Sequence, residues 1–282
     1  MTGRLNKLQR ELNNLENLTA ELAIKIKAKY EVYIKQFNES FYKQFILATY
    51  QISTQKYPAA FLNLTYSQRE QLQQELKAIA RDGQKQLLDL LEIKYANSST
   101  VSIQIKGLQP PPLTPDNLKE DIELTKSPYV LWQWCREIET GIGDILQKIS
   151  KEANQRLQQW AILPLQLPPQ VLDMAIQAQQ DGQPVSGGNN LLNVLVGADN
   201  TNLEAEVNRE ETIGPGGITQ ITAIYLRVAE IEFADPSISV ERNQIRNLVE
   251  QIHNVGKQYN KTEQEYSIAQ AESAWRTSWY DP

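Results

Sequence analysis

Few residues of this chain could perform chemistry by themselves. His253 is its one histidine and Cys135 its one cysteine, so a histidine-rich metal site and a His-Cys zinc site are both excluded. A catalytic triad would have to use His253 itself, but this residue lies between Ile252 and Val255 of an apolar helical repeat. That position favours a histidine on a helix surface over a general base. Cys135 has no evident base near it, although Arg136 is adjacent, and we expect a buried structural cysteine.

Two groups of residues in segment 197–217 resemble ligand-binding loops only in part. Gly214–Gly217 lacks the Gly-Lys-Ser/Thr ending of a phosphate-binding loop, and Pro215 removes one of the amides that such a loop uses. The acidic group of the same segment consists of Glu204, Glu206, Glu210 and Glu211. It lacks the alternating oxygen ligands and the glycine of a calcium loop, so we interpret it as a solvated acidic loop. The sequence therefore predicts no catalytic residue, no cofactor and no metal, and favours a protein that is not an enzyme.

Composition indicates an ordinary globular protein. Hydrophobic residues make up 41% of the 282 residues and charged residues 22%, which is typical of a folded chain with a core. The net charge of −6 argues against a general nucleic-acid binder, because binding to phosphates needs clustered Lys and Arg. A single cysteine fits a reducing compartment. The chain lacks both a long apolar run and the apolar region of a signal peptide, so we expect a cytoplasmic protein.

The elements that carry these residues are arranged around a long N-terminal helix, predicted from about residue 5 to residue 52. Its apolar residues recur at alternating steps of three and four, the heptad pattern of a coiled coil, and only Thr19 and Lys29 interrupt it. The same spacing recurs near the C terminus. These two runs, here called the N-seam and the C-seam, are Leu5, Leu8, Leu12, Leu15, Leu22, Ile26 and Tyr33, and Ile245, Leu248, Ile252, Val255, Tyr259, Thr262, Tyr266 and Ala269.

Equal length allows the two seams to pair as antiparallel helices within one chain. Their charges agree with this pairing, since residues 1–56 carry nine Lys and Arg against five Asp and Glu, whereas residues 197–273 carry six against thirteen. The alternative is that each seam pairs with a copy of itself in a coiled-coil homodimer. The sequence leaves both arrangements open.

The middle of the chain is predicted to be mainly helical. After Tyr33 the heptad phase changes to four-residue steps, which predicts that this half of the first helix enters a globular core and ends before Tyr57-Pro58. A long helix is expected to end at Trp160 and to start at Ser127-Pro128, with Pro115-Asp116 as the alternative start. Further helices are expected at about 169–180, from Ile218 onward, and after Asp235-Pro236.

The second helix, expected at about 67–94, has a recognisable start. Either Thr65 or Ser67 is its N-cap, and Glu70, three residues after Ser67, is the expected capping-box partner. Gly83 interrupts the apolar face of this helix and marks either a close crossing of another helix or a tolerated exposed glycine.

Two short segments predict a minor β element. Thr100–Lys106 alternates apolar and polar residues as a half-buried strand does. Leu191–Val196 is a second candidate, although a buried helical turn would look the same. A proline-rich connector follows the first strand at 110–115. Segments 183–190 and 197–217 are loops by composition, and the second exceeds the usual length of a connection.

The fold class predicted from these elements is mainly α. An antiparallel coiled-coil stalk forms from the two chain ends, and a helical globular part carries a minor two-strand β element. The expected domain boundaries are 1–55 for the N-terminal coiled-coil helix, 56–235 for the globular domain with its long loops, and 236–282 for the C-terminal coiled-coil helix.

The C-terminal tail holds the candidate partner-binding residues. Trp275 and Trp279 are four residues apart and share one face if the helix continues, with Arg276 at the rim and Tyr280 next in the chain. Tryptophan is enriched at binding hot spots because it buries a large rigid surface. The alternative is that these indoles dock on the protein's own N-terminal helix. Deletion of residues 274–282 would separate the two.

These features favour a non-enzymatic cytosolic interaction protein, a scaffold or regulatory adaptor whose partner is another protein of unknown identity. A regulatory small-molecule or nucleotide binder using the 183–217 loops is the second hypothesis. Peripheral membrane association is the third, because Lys25, Lys27 and Lys29 flank the N-seam.

Two segments carry a resemblance to known proteins: Ser127–Glu139, which reads SPYVLWQWCREIE, and Ala271–Tyr280, which reads AESAWRTSWY. Together with the many Gln and Asn residues, they resemble a group of conserved cyanobacterial proteins, containing coiled coils, whose function is not established. The resemblance implies a cyanobacterial cytosolic protein and supplies no catalytic residue.

Overall fold

The structure, a computed structural model, describes residues 2–92, 127–164, 190–197 and 218–279. Most of these residues are helical, and a two-stranded antiparallel sheet completes the fold, which confirms the predicted mainly α class. The helices are α1 Thr2–Gln51, α2 Pro58–Asn63, α3 Tyr66–Asp89, α4 Pro128–Gln159, α5 Val228–Phe233 and α6 Pro236–Trp279, and the strands are β1 Leu191–Gly197 and β2 Ile218–Ile224. A π-helical turn, Ile52–Lys56, follows α1, and a 3₁₀ turn, Leu90–Glu92, follows α3.

The chain divides into two units. The first consists of Met1–Ile34, Asp89–Thr140 and Val240–Pro282, and the second consists of Lys35–Leu88 and Gly141–Ser239. The division of α1 after Ile34 falls where the heptad phase changes in the sequence, one residue beyond Tyr33.

In the first unit, α1 and α6 lie antiparallel within one chain, as expected. Three polar contacts show the direction, because partners later in α1 lie earlier in α6. Arg4 Nη1 lies 3.7 Å from Glu272 Oε2, the Tyr259 hydroxyl donates to Glu16 Oε1 at 3.4 Å, and Lys29 Nζ lies 3.1 Å from Glu241 Oε2. The N-seam is buried from Leu8 to Tyr33, and five C-seam residues are buried: Ile245, Ile252, Val255, Thr262 and Ala269.

The two polar interruptions of the N-seam are both satisfied. Thr19 is buried, and its hydroxyl donates to the carbonyl oxygen of Leu15 at 2.7 Å. Lys29 forms its ion pair with Glu241. Neither residue leaves an uncompensated polar group in the seam.

The first turns of α4 pack against both α1 and α6. Trp134 is buried, and its ring meets Tyr30 of α1 edge-on with centroids 5.4 Å apart. Pro128, the first residue of α4, lies beside Gly256 of α6, where an added Cβ would come within 3.6 Å of Pro128 Cβ. Three helices therefore share one apolar interior.

In the second unit, β1 and β2 pair antiparallel from Leu191↔Ile224 to Gly197↔Ile218. The prediction of a strand at Leu191–Val196 is confirmed, but the helix predicted from Ile218 is wrong. The segment is rich in β-branched residues, which favour strands, and β1 supplies a partner. Ile221, Thr222, Ala223 and Ile224 are all buried, so both faces of β2 are covered and the two-residue alternation of a strand is hidden.

Side chains bind the edge of β2 opposite β1. The Tyr57 hydroxyl accepts the Thr222 N–H at 2.9 Å and donates to the Thr222 carbonyl at 3.2 Å. Asn154 Oδ1 accepts the Ile224 N–H at 2.9 Å, and its Nδ2 donates to the Ile224 carbonyl at 2.8 Å. The hydroxyl of Ser150 accepts the Leu226 N–H at 3.0 Å.

Helix α3 begins at Tyr66 with Thr65 as its N-cap. The Gln68 N–H donates to Thr65 Oγ1, and Gln68 Oε1 accepts the Thr65 N–H at 2.8 Å. The capping partner is therefore Gln68 rather than the expected Glu70, because Thr65 is the cap and its third following residue is Gln68.

Gly83 marks a close helix crossing. A Cβ there would lie 2.9 Å from Phe41 Cζ and 3.0 Å from Ile149 Cγ1, so the alternative of an exposed glycine is wrong. The predicted strand at Thr100–Lys106, the connector at 110–115 and the helix at 169–180 lie outside the described residues. So do the loops at 183–190 and 197–217, except for Asn190 and Gly197.

Candidate functional site

The two residues that the sequence singles out for chemistry, Cys135 and His253, line the same cavity. It has a volume of about 410 Å³ and lies among α1, α4 and α6 within the first unit. Tyr30 comes from α1, Trp132 and Cys135 from α4, and Arg246 and His253 from α6. Three helices thus bring together side chains that are far apart in sequence.

Glu139 of α4 is the centre of a polar cluster at this cavity. Its Oε1 accepts a hydrogen bond from the Tyr30 hydroxyl at 2.7 Å and forms an ion pair with Arg242. The Arg242 guanidinium also lies over the ring of Tyr33, 5.6 Å from its centroid. This one carboxylate therefore joins α1, α4 and α6.

The protonation of the cluster follows from its burial. Burial, followed by the nearby Glu139 carboxylate, raises the pKa of Tyr30 far above its ordinary value. Tyr30 is therefore a neutral hydrogen-bond donor at every physiological pH. A group held in one protonation state orients Glu139 but does not transfer protons during a reaction.

Cys135 is only 2% exposed, which confirms the expected buried cysteine. Burial and the Glu139 carboxylate raise the pKa of its thiol to about 12. Because the thiolate is the nucleophilic form, a thiol with this pKa is not an activated nucleophile at neutral pH. His253 is exposed on the α6 surface.

The rim of the cavity carries an aromatic and cationic wall. Arg136 is exposed, and its guanidinium lies over the ring of Trp132, 4.9 Å from the centroid. Trp132 also contacts Tyr129, with ring centroids 6.3 Å apart. On α6, Arg246 is exposed and has no ion-pair partner among the described residues.

The predicted partner-binding residues lie at the end of α6. Trp275 is 64% exposed, and Arg276 is exposed as well. Helix α6 continues through Trp279. The prediction that Trp275 and Trp279 share one helix face requires this continuation of the backbone. The Trp279 side chain and Tyr280 lie outside the described part of the chain. Ile268, seven residues before Trp275, is 48% exposed and lies on the same helix face.

A smaller cavity of about 290 Å³ lies in the second unit beside the π-helical turn. Tyr50, Ser53 and Thr54 line one side of it, and Leu72 and Leu76 of α3 line the other. The hydrogen bond from the Tyr57 N–H to the Ile52 carbonyl, at 2.9 Å, closes this π-helical turn.

Within 2–92, 127–164, 190–197 and 218–279, no three or more His, Cys, Asp or Glu residues are grouped as metal ligands would be. None of the described helices has the length and apolarity to cross a bilayer. The acidic group and Gly214–Gly217 lie outside the described residues.

Comparison of the chain with protein-family models, with curated proteins and with solved structures finds no match.

Proposed function

We propose that this protein is a non-enzymatic cytosolic interaction protein, a scaffold or regulatory adaptor, which contacts a protein partner through the end of α6. The observation that carries the proposal is the exposure of Trp275, 64% of whose surface faces solvent. An indole docked on the protein's own N-terminal helix would bury most of its apolar surface, since that burial is what ties down a terminal helix. The exposure therefore supports the partner anchor over self-docking.

The helix that presents Trp275 is held in place just before it. Ala269 is buried, and Glu272 forms its ion pair with Arg4 of α1. An anchor on an already ordered helix loses less conformational entropy on binding than one on a frayed terminus. Ile268 and Trp275 lie two helical turns apart on one face, the spacing with which a helix inserts apolar anchors into a partner's groove.

The membrane hypothesis is weakened by the ion pairs of its basic residues. Lys29 is paired with Glu241, and Lys25 lies 3.8 Å from Glu21. Two of the three lysines that flank the N-seam are thus partly neutralised, which lowers their attraction to anionic lipid.

A photocrosslinking residue at exposed Ala271, between Ile268 and Trp275, tests the proposal in native lysate with the full chain. We expect discrete adducts with other proteins that disappear when Trp275 is replaced in the variant Trp275→Ser. The matched control is Phe233→Ser, which removes an aromatic side chain that is 88% exposed, and it should leave the adducts unchanged. Adducts only with the chain itself, or adducts that survive Trp275→Ser, would contradict the proposal.

A further inference from the structure

The cavity of the first unit has an apolar floor. Ile245 and Cys135 are buried, and Val249 lies one helical turn beyond Ile245 on α6. The volume of about 410 Å³ lies within the range of small-molecule sites, which are lined mainly by apolar and aromatic side chains with a few polar groups. A ligand that fits this floor has an apolar body.

The charges around the floor do not cancel. Arg242 is paired with Glu139 inside the cluster, so this pair contributes no net charge. Arg136 and Arg246 remain, against one further carboxylate at the cavity, Glu250. The two guanidinium groups come from different helices, α4 and α6, and both line this cavity, which therefore carries a net positive charge that favours an anionic ligand. Guanidinium groups bind carboxylates and phosphates with paired, charge-assisted hydrogen bonds.

The wall formed by Trp132 and Arg136 adds a preference for flat groups. The Arg136 guanidinium lies over the Trp132 ring, 4.9 Å from its centroid, and both of these flat groups are at least partly exposed. Aromatic rings pack well against such surfaces, through both the indole and the stacked guanidinium.

We propose that this cavity is a binding site for a small organic anion whose carboxylate or phosphate head lies between Arg136 and Arg246 and whose aromatic body packs on Trp132 and the apolar floor. The site is separate from the end of α6, so it adds a ligand-binding function to the proposed partner binding. Trp132 is a specificity-determining residue in this proposal, and the Tyr30–Glu139–Arg242 cluster fixes the helices that form the site.

Calorimetric titration of the full chain with two anions, 4-phenylbutyrate and phenyl phosphate, tests the site and distinguishes the two heads. We expect at least one of them to bind saturably with a Kd of about 1 mM or tighter. Neutral 4-phenylbutan-1-ol and inorganic phosphate should each bind about tenfold more weakly or not at all, because each lacks one half of the recognised chemistry.

The variants Arg136→Gln and Arg246→Gln should each weaken binding of the anion about tenfold, since each removes one charged hydrogen-bond donor. Both side chains are exposed, so the variants should melt like the wild type. Arg81→Gln, on exposed α3 surface, is the matched control and should bind normally. Trp275→Ser should also bind normally, which separates this site from the partner anchor. Failure of both anions to bind, equal binding of the alcohol, or unchanged affinity in both arginine variants would overturn the proposal.

Discussion

The carboxamide of Asn154 makes both hydrogen bonds to Ile224 that an adjacent antiparallel strand would make. Its Oδ1 accepts from the Ile224 N–H and its Nδ2 donates to the Ile224 carbonyl, at 2.9 Å and 2.8 Å. Asn154 is buried, so water cannot replace either bond. A helix side chain thus takes the place of a third strand in a two-stranded sheet.

Replacement of this residue by leucine should be costly. Asn154→Leu leaves two buried backbone groups of Ile224 without partners, and we expect a loss of about 2–4 kcal/mol in the free energy of unfolding. Urea denaturation measures the change. The neighbouring variant Gln155→Leu, on the exposed face of the same helix, should change the free energy by less than about 0.5 kcal/mol. Equal effects of the two changes would show that the paired hydrogen bonds contribute nothing.

Two helical glycines should respond in opposite directions to the same substitution. Gly83→Ala places a methyl group within 2.9–3.0 Å of Phe41 and Ile149, whereas Gly143→Ala meets no atom within 4 Å. Overpacking costs about 1–3 kcal/mol, and an unhindered change from glycine to alanine in a helix gains up to about 1 kcal/mol. We therefore expect thermal melts to show a lower melting temperature for Gly83→Ala and a higher one for Gly143→Ala. A rise for both variants would refute the close crossing at Gly83.

Pairing of the terminal helices within one chain predicts how charged seam variants behave. Leu12 and Ile252 are both buried, and the double variant Leu12→Asp/Ile252→Asp should destabilise a monomer by about 3 kcal/mol or more. The exposed neighbours supply the control, Asn13→Asp/His253→Asp, with the same added charges and little expected effect. Light scattering after size exclusion measures the mass. A wild-type dimer that the seam variant splits into folded monomers would favour intermolecular pairing.

Much of the helical architecture could be predicted because the burial of one helix face leaves a local repeat in the sequence. The N-seam shows this, since its leucines recur at the spacing of a buried stripe. Strand β2 could not be predicted in this way, because burial of both its faces removes the alternation that identifies a strand. Its helix-like spacing of isoleucines, at Ile218, Ile221 and Ile224, then gives the wrong period.

The anion-binding cavity has no local sequence pattern at all. Arg136 and Arg246 look like ordinary charged residues beside apolar stripes, and only the packing of α4 against α6 places them around one volume. The nearest sequence signal is the pair of arginines at Arg242 and Arg246, four residues apart beside the C-seam. That spacing puts two cations on one helix face but does not reveal that Glu139 neutralises only one of them.

The ion pair of Lys29 with Glu241 affects the register in which α1 and α6 pair. Apolar heptads are nearly equivalent, so two such seams could slide past each other by seven residues with little loss of apolar contact. A slide of α6 by one heptad would bring Leu248 to the level of Lys29 in place of Glu241, leaving a half-buried ammonium group beside an apolar side chain. Lys29, the charged interruption of the N-seam, thereby favours this register for the two chain ends, and with it the position at which α6 presents its last turns.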